Sequence, residues 1–135
     1  MEHRAQHTAL VVEDDPVIRE LLTDCLVGAG FDVLTAEDGA AAVELIDQTR
    51  APLRQLCLIL LDLLLPELPG LAVLAHVQAR AEDLPVVAMS ARPDLLAQAR
   101  QAGAAETLAK PFDIPRLLAI VAEHCPHGAE RGSGS

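Results

Sequence analysis

The stretch Leu58–Gly70 reads LILLDLLLPELPG and carries the pattern that decides the fold. An unbroken apolar run over Leu56–Leu61 leads into one carboxylate, Asp62, and then into a loop with two prolines and a glycine. A short apolar run that ends in turn residues is typical of a strand buried on both faces, as in a parallel sheet. Asp62 is therefore predicted to stand at the carboxyl end of such a strand, the edge where open α/β sheets bind ligands.

Asp62 taken alone has two interpretations. An aspartate at this position is often only a helix N-cap or a turn residue. It is otherwise a reactive carboxylate, and the rest of the chain favours this interpretation because three other strand-like runs also end in polar side chains.

Strand-like and helix-like patterns alternate five times along the chain. The predicted strands are Thr8–Val12, Phe31–Ala36, Leu56–Leu61, Pro85–Met89 and Glu106–Ala109. The predicted helices are Pro16–Ala29, Ala40 to about Arg50, Leu71–Ala81, Arg92–Ala102 and Asp113–His124, with Asp15 and Asp113 as N-caps. This alternation predicts one doubly wound α/β domain with a parallel sheet and right-handed crossovers.

The domain boundaries follow from where these patterns begin and end. One domain is expected over residues 8–125, because a chain of 135 residues suffices for a single hydrophobic core. The polar residues 1–7 are expected to form a flexible N-terminal arm. Residues 126–135, which contain glycine and serine, are expected to form a flexible tail or an artificial linker.

Composition restricts the classes of function. The formal net charge is −10, which argues against direct nucleic-acid binding because phosphate contacts need Lys and Arg. Residues 1–7 lack a secretory signal, and no apolar stretch is long enough to span a membrane, so a cytoplasmic protein is expected. The three cysteines form no paired motif and are expected to be ordinary buried thiols in a reducing compartment.

Polar side chains stand at four of the predicted strand ends: Glu13 and Asp14, Asp62, Ser90 and Lys110. Because the carboxyl ends of parallel strands share one edge of the sheet, these side chains can converge. Clustered carboxylates favour a hard divalent cation such as Mg²⁺. Asp62 is then a candidate nucleophile for forming an aspartyl phosphate, with the Ser90 hydroxyl and Lys110 ammonium as phosphate ligands. Singly, Ser90 as a loop residue and Lys110 as a solvated lysine are equally good interpretations.

The chain resembles the response-regulator receiver domains of two-component phosphorelays from about Thr8 to His124. The matching segments are VVEDDPVIRELL, LILLDLLLPELPG, VVAMSA and LAKPF, in this order. The resemblance implies a single (βα)₅ flavodoxin-like domain with strand order 2-1-3-4-5.

The resemblance also implies a role for each matched position. Asp62 corresponds to the phosphoacceptor, and Mg²⁺ or Mn²⁺ is bound by Glu13, Asp14, Asp62 and the backbone carbonyl of Leu64. Ser90 corresponds to the switch hydroxyl, Ala91 to the small residue beside it, Lys110 to the phosphate-binding lysine and Pro111 to the cis-proline position.

Three positions flank or depart from the family pattern. Thr107 replaces the Tyr or Phe that usually stands three residues before the lysine, so the usual aromatic half of the switch is absent. Leu64 and Arg92 occupy positions that tune the phosphate lifetime in the family.

The resemblance implies phosphotransfer from a sensor histidine kinase or a histidine phosphotransfer protein to Asp62, followed by altered binding to a downstream protein. Such a chain is a self-catalysing phosphoacceptor and not a turnover enzyme. It is expected to be a monomer or a phosphorylation-dependent dimer, without membrane contact, either as a separate protein or as part of a larger regulator or hybrid kinase.

The alternative is a receiver-like interaction module that works without phosphorylation, which Thr107 favours slightly. A magnesium phosphohydrolase is disfavoured because Leu64 stands where a second acid would be needed.

Overall fold

The alternating pattern produces a five-stranded parallel sheet with helices on both faces. The structure is a computed structural model that describes residues 7–48, 56–80 and 83–125. In chain order the elements are β1 (Thr8–Val12), α1 (Pro16–Gly28), β2 (Asp32–Ala36), α2 (Gly39–Gln48), β3 (Leu56–Asp62), α3 (Gly70–Arg80), β4 (Val86–Ser90), α4 (Pro93–Gln101), β5 (Glu106–Ala109) and α5 (Ile114–His124).

The strand order is β2-β1-β3-β4-β5, which confirms the predicted 2-1-3-4-5 topology. β3 is the central strand, and Leu60 is in register with Val11 of β1 on one side and Val87 of β4 on the other. Since every pair is parallel, all five carboxyl ends lie at one edge. We call this the carboxyl edge and the opposite one the amino edge.

The apolar run of β3 is explained by burial on both faces of the sheet. Leu58 and Leu60 face one core cluster, whereas Ile59 and Leu61 face the other, as the two-residue period of a strand requires. The first cluster includes Leu22 and Leu26 of α1 and Leu117, Ile120 and Val121 of α5. The second cluster includes Ala42 and Ile46 of α2, Val73, Leu74 and Val77 of α3, and Ala99 of α4.

The predicted N-caps are confirmed. The Asp15 carboxylate accepts hydrogen bonds from the backbone N–H groups of Val17 and Ile18, and Asp113 accepts one from Arg116. Most other ends of helices and strands differ from the predicted ones by one or two residues. The terminal residues of an element lack some of the backbone hydrogen bonds that define it, so its ends are the hardest part to predict. Arg50 and Ala81, the predicted last residues of α2 and α3, lie outside the described residues.

The predicted N-terminal arm is wrong at its last residue. His7 is buried, and its carbonyl accepts a hydrogen bond from the backbone N–H of Asp32, which extends the pairing of β1 with β2. The rest of the predicted arm, residues 1–6, and the predicted tail, residues 126–135, lie outside the described residues.

The cysteines also differ from the prediction. Cys57 and Cys125 form a disulfide across 68 positions of sequence, whereas Cys25 is a free, half-buried thiol. The sequence spacing gave no sign of this pairing because β3 and α5 meet only in the folded domain. Within the described part of the chain, none of the helices has both the length and the apolar character needed to cross a membrane.

Candidate functional site

The carboxyl edge brings together the acidic side chains that the sequence singled out. Carboxylate oxygens of Glu13, Asp14 and Asp62 all lie within 4.8 Å of one another. The Lys110 ammonium lies 3.0 Å from Glu13 Oε1 and 3.4 Å from Asp62 Oδ2. Residues that are up to 97 positions apart in sequence therefore form one charged cluster.

Asp62 is positioned by the end of β3 and by the loop that follows. Its side chain is almost fully buried, and the backbone N–H of Leu64 donates a hydrogen bond to Oδ1 at 3.1 Å. The backbone N–H of Leu63 donates to the carbonyl of Met89 at 2.9 Å, which holds the first loop residue against β4. One carboxylate oxygen is thus held by its own loop, and the other faces Lys110.

Glu13 is the most deeply buried acid of the cluster, with 1% of its surface exposed. Burial, assisted by the negative charge of Asp62, raises the pKa of Glu13 to about 6, although the hydrogen bond from Lys110 opposes this. The backbone N–H of Asp15 donates to Glu13 Oε2, and the Arg19 guanidinium donates to the Glu13 carbonyl at 2.8 Å. These contacts fix the loop between β1 and α1, and leave Asp14 exposed toward solvent.

Lys110 is the only lysine in the chain. Burial disfavours its charged form, but the hydrogen bond to Glu13 and the charge of Asp62 outweigh burial, so the pKa of Lys110 is raised. Lys110 therefore stays an ammonium, and it contacts two of the three carboxylates, those of Glu13 and Asp62.

The excess negative charge makes the cluster suitable for a divalent cation. Oxygen ligands from two buried carboxylates and one exposed carboxylate are the donor type that Mg²⁺ prefers, and the exposed side leaves room for water or phosphate. The donor chemistry of these residues thus fits the cation that the sequence implied.

Ser90 and Lys110 are linked through the backbone. Ser90 ends β4 and is buried, and its carbonyl accepts a hydrogen bond from the Lys110 N–H at 2.9 Å. The Ser90 hydroxyl oxygen accepts from the Arg92 N–H at 3.0 Å, and Ala91 between them is exposed. The peptide bond between Lys110 and Pro111 is cis.

Arg92 and Thr107 each have a hydrogen-bond partner, whereas Leu64 is largely exposed. The Arg92 guanidinium donates two hydrogen bonds to Asp94, at 2.7 and 3.2 Å, at the start of α4. Leu64 is 52% exposed beside Asp62. The Thr107 hydroxyl of β5 accepts a hydrogen bond from the Arg100 guanidinium of α4.

Sequence reasoning missed Arg19, Asp94 and Arg100. Each makes a hydrogen bond that spans two to seven positions of sequence. A charged side chain on a helix gives no signal by itself, since most such residues are solvated.

The sequence of this chain matches known proteins along most of its length. The family described as the response regulator receiver domain matches residues 9–122. The DNA-binding transcriptional regulator NtrC of Escherichia coli (strain K12) is 38% identical over 123 residues, which cover 90% of this chain and 25% of NtrC. This chain therefore spans about a quarter of the length of that relative.

Solved structures agree with the sequence match. The receiver domain of NtrX from Brucella abortus is 32% identical, with a TM-score of 0.77 over 87% of this chain and 98% of that one. The receiver domain of the sensor histidine kinase PA1611 from Pseudomonas aeruginosa PAO1 is 28% identical, with a TM-score of 0.78 over 90% and 98%. That structure contains a magnesium ion coordinated in its active site cleft. From its sequence, its strand order and the matched range, this chain belongs to the response regulator receiver domain family.

Proposed function

We propose that this receiver domain accepts a phosphoryl group on Asp62 in a reaction that requires Mg²⁺ or Mn²⁺. The observation that carries this proposal is the cluster of three carboxylates within 4.8 Å, two of which contact the Lys110 ammonium. Burying Glu13 and Asp62 beside each other is unfavourable for folding, so their placement is explained by what the cluster binds.

The cation site is assigned to the side chains of Glu13, Asp14 and Asp62 and to the backbone carbonyl of Leu64. Glu13 acts at longer range than Asp14, since one of its oxygens accepts from Lys110 and the other from the Asp15 N–H. When bound, the cation supplies positive charge that offsets the charge of the phosphoryl oxygens.

The covalent step uses the carboxylate of Asp62 as the nucleophile. One of its oxygens forms a bond to phosphorus while the bond from phosphorus to the donor histidine nitrogen breaks. The leaving imidazole keeps that electron pair. Lys110 is near enough to Asp62 for its ammonium to bind an oxygen of the new phosphoryl group, and the Ser90 hydroxyl binds another. Ala91 leaves space beside that hydroxyl.

The phosphodonor is assigned to a sensor histidine kinase or a histidine phosphotransfer protein, and the readout to altered binding of a downstream protein. A cytoplasmic location, and a monomer or a phosphorylation-dependent dimer, remain predictions. The net charge of −10 disfavours direct nucleic-acid contact by this chain. NtrC is a DNA-binding regulator, but this chain covers only 25% of it.

The test is intact-mass measurement after incubation with Mg²⁺ and acetyl phosphate. The expected result is one added phosphoryl group, which is absent in Asp62→Asn and after chelation of Mg²⁺. Asp24→Asn, which alters an exposed aspartate of α1, is the matched control and should be phosphorylated like the wild type.

A receiver-like interaction module that works without phosphorylation is the second candidate. It is favoured by Thr107, which is held by Arg100 and offers no aromatic ring for a switch. An absent adduct at short reaction times, in a protein that binds Mg²⁺, would support this candidate and contradict the first.

A further inference from the structure

The amino edge of the sheet holds a chemical group that the phosphoacceptor proposal does not use, the pair Cys57 and Cys125. We propose that this pair is a reversible redox modification site, which a low-molecular-weight disulfide such as oxidised glutathione converts from two thiols into the cross-link. The cross-link fixes the carboxyl end of α5 to the central strand. This inference does not depend on phosphorylation of Asp62.

The first observation is that β3 is irregular at Cys57. Thr8 of β1 is in register with Leu56, but Ala9 is in register with Leu58, so Cys57 is an extra residue in the pairing. A bulge of this kind redirects a side chain. Strict alternation would place Cys57 on the same face as Ile59, whereas Cys57 packs against the other cluster, which contains Leu117, Ile120 and Val121 of α5.

The second observation is that α5 holds the partner cysteine in a fixed position. Cys125 is the C-cap residue of α5, and its backbone N–H donates to the carbonyl of Val121 at 2.8 Å. The Cα atoms of Cys57 and Cys125 are 6.0 Å apart, within the range that a disulfide requires. Cys57 thus lies at the start of a strand and Cys125 at the end of a helix, and neither needs a loop rearrangement to react.

The third observation concerns access and the reduced state. Cys125 is buried, whereas Cys57 is only partly buried, so an external disulfide meets Cys57 first. Both side chains belong to the apolar cluster between the sheet and α5. Free thiols behave as small apolar groups there, so the domain keeps its core when the bond is reduced.

The reaction balances as two exchange steps. The Cys57 thiolate attacks one sulfur of oxidised glutathione, which forms a mixed disulfide and releases one glutathione. The Cys125 thiolate then attacks the Cys57 sulfur and releases the second glutathione. The protein loses two electrons and two protons, and oxidised glutathione gains them as two thiols.

The structural consequence lies at the end of α5. Cys125 is the C-cap residue of α5, so the cross-link fixes the carboxyl end of this helix. In the reduced protein, only noncovalent packing of the last turn of α5 holds that end.

The test uses the full chain, first fully reduced and then equilibrated with mixtures of reduced and oxidised glutathione. Remaining thiols are alkylated, and peptides are mapped without reduction. The expected result is a peptide pair joined through Cys57 and Cys125 as the oxidised fraction rises, with Cys25 alkylated throughout. Dithiothreitol without denaturant should restore two alkylatable thiols.

The variants separate this site from the rest of the molecule. Cys25→Ala and Asp62→Asn should form the same peptide pair, whereas Cys57→Ala should form none. The proposal is overturned if Cys57 and Cys125 are both alkylated in the oxidising mixtures, or if only glutathione adducts appear. It is equally overturned if the bond is reduced only after denaturant unfolds the domain.

Discussion

The two ends of β3 lie in opposite chemical surroundings, one charged and the other apolar. At the carboxyl edge, Asp62 lies in a cluster of three carboxylates, two of them buried, and contacts the Lys110 ammonium. At the amino edge, Cys57 lies in an apolar cluster and is joined to Cys125. The first end places carboxylates beside one another, which is unfavourable for folding, whereas the cross-link at the second end stabilises the fold. One strand thus carries a charged cluster at one end and an apolar, cross-linked pair at the other.

The two ends also differ in the side chains that remain exposed. At the amino edge, Glu106 faces His124 at 3.9 Å, and all three members of the group with Glu123 are partly or fully exposed. At the carboxyl edge, Glu13 and Asp62 are buried. Burial therefore distinguishes the acidic cluster at the carboxyl edge from an ordinary surface group of similar composition.

Replacing Lys110 should have the largest effect. Lys110→Met should slow phosphorylation about 10²–10³-fold, because it removes a positive donor at the reacting oxygens. It should also destabilise the Mg²⁺-free domain by about 3 kcal/mol, since two buried carboxylates lose their partner. Phosphorylation time courses and urea unfolding measure the two effects.

The control for Lys110 is Arg116→Met, which removes an exposed cation from α5 and should change neither quantity. Equal effects of both variants would mean that Lys110 acts only through net charge. The cross-link between Cys57 and Cys125 should form in both, because the two ends of β3 are independent.

Removing the cross-link at the amino edge should alter the free energy of unfolding and leave the rate of phosphorylation unchanged. Cys57→Ala should lower the free energy of unfolding of the oxidised protein by about 3 kcal/mol, since the cross-link restricts the unfolded chain across 68 positions. Under reducing conditions the difference should be much smaller. Urea unfolding in both conditions, with Cys25→Ala as the control, measures this.

The rate of phosphorylation should be unchanged in Cys57→Ala. A slowed reaction would show that the two edges are coupled through β3 and are not independent.

Acid should weaken cation binding at the carboxyl edge. Because the pKa of Glu13 is raised to about 6, Glu13 binds a proton below that pH and its negative charge is lost. Mg²⁺ affinity should therefore fall by up to about tenfold per pH unit below pH 6. Calorimetric titration at several pH values measures this, and Glu13→Gln should flatten the profile whereas Glu37→Gln should not.

The raised pKa of Glu13 also predicts that its contribution to the stability of the Mg²⁺-free domain decreases as the pH rises. A carboxyl whose pKa is higher in the folded state favours folding below its unfolded value of 4.5, and this contribution is lost as the pH rises through 6. A Glu13 contribution that instead grew between pH 4.5 and 6, judged against Glu13→Gln, would contradict the raised pKa.

The smallest effect is expected at Thr107. Thr107→Val removes the hydrogen bond to Arg100 and should cost about 1 kcal/mol or less, because Arg100 is exposed and regains water. Phosphorylation by acetyl phosphate should be unchanged, since Thr107 is not among the groups around Asp62. A large change in rate would place Thr107 in the reacting site.

The sequence predicted the carboxyl edge better than the amino edge, for a physical reason. Asp62 follows an apolar run, and Asp15 and Asp113 cap helices with their own side chains, so each has a local signal. The hydrogen bond between Lys110 and Glu13 was not predictable in detail, because it joins residues 97 positions apart. The parallel topology nevertheless indicated that they could meet.

At the amino edge, the local sequence pattern predicted the wrong surroundings for Cys57 and His7. The alternation of β3 places Cys57 on the face away from α5, and only the shifted register with β1 reverses this. His7 is polar and follows a polar stretch, yet a backbone hydrogen bond to Asp32 keeps it in the domain. Both features depend on pairing between strands, which no single segment of sequence specifies.

The most direct test of phosphorylation at Asp62 is to locate the phosphoryl group. Protein treated with acetyl phosphate and Mg²⁺ is reduced with borohydride, which converts an aspartyl phosphate into homoserine, and its peptides are sequenced by mass spectrometry. Homoserine is expected at position 62 alone, in the oxidised and the reduced protein alike. Homoserine at position 14, or at no position in a protein that binds Mg²⁺, would contradict it.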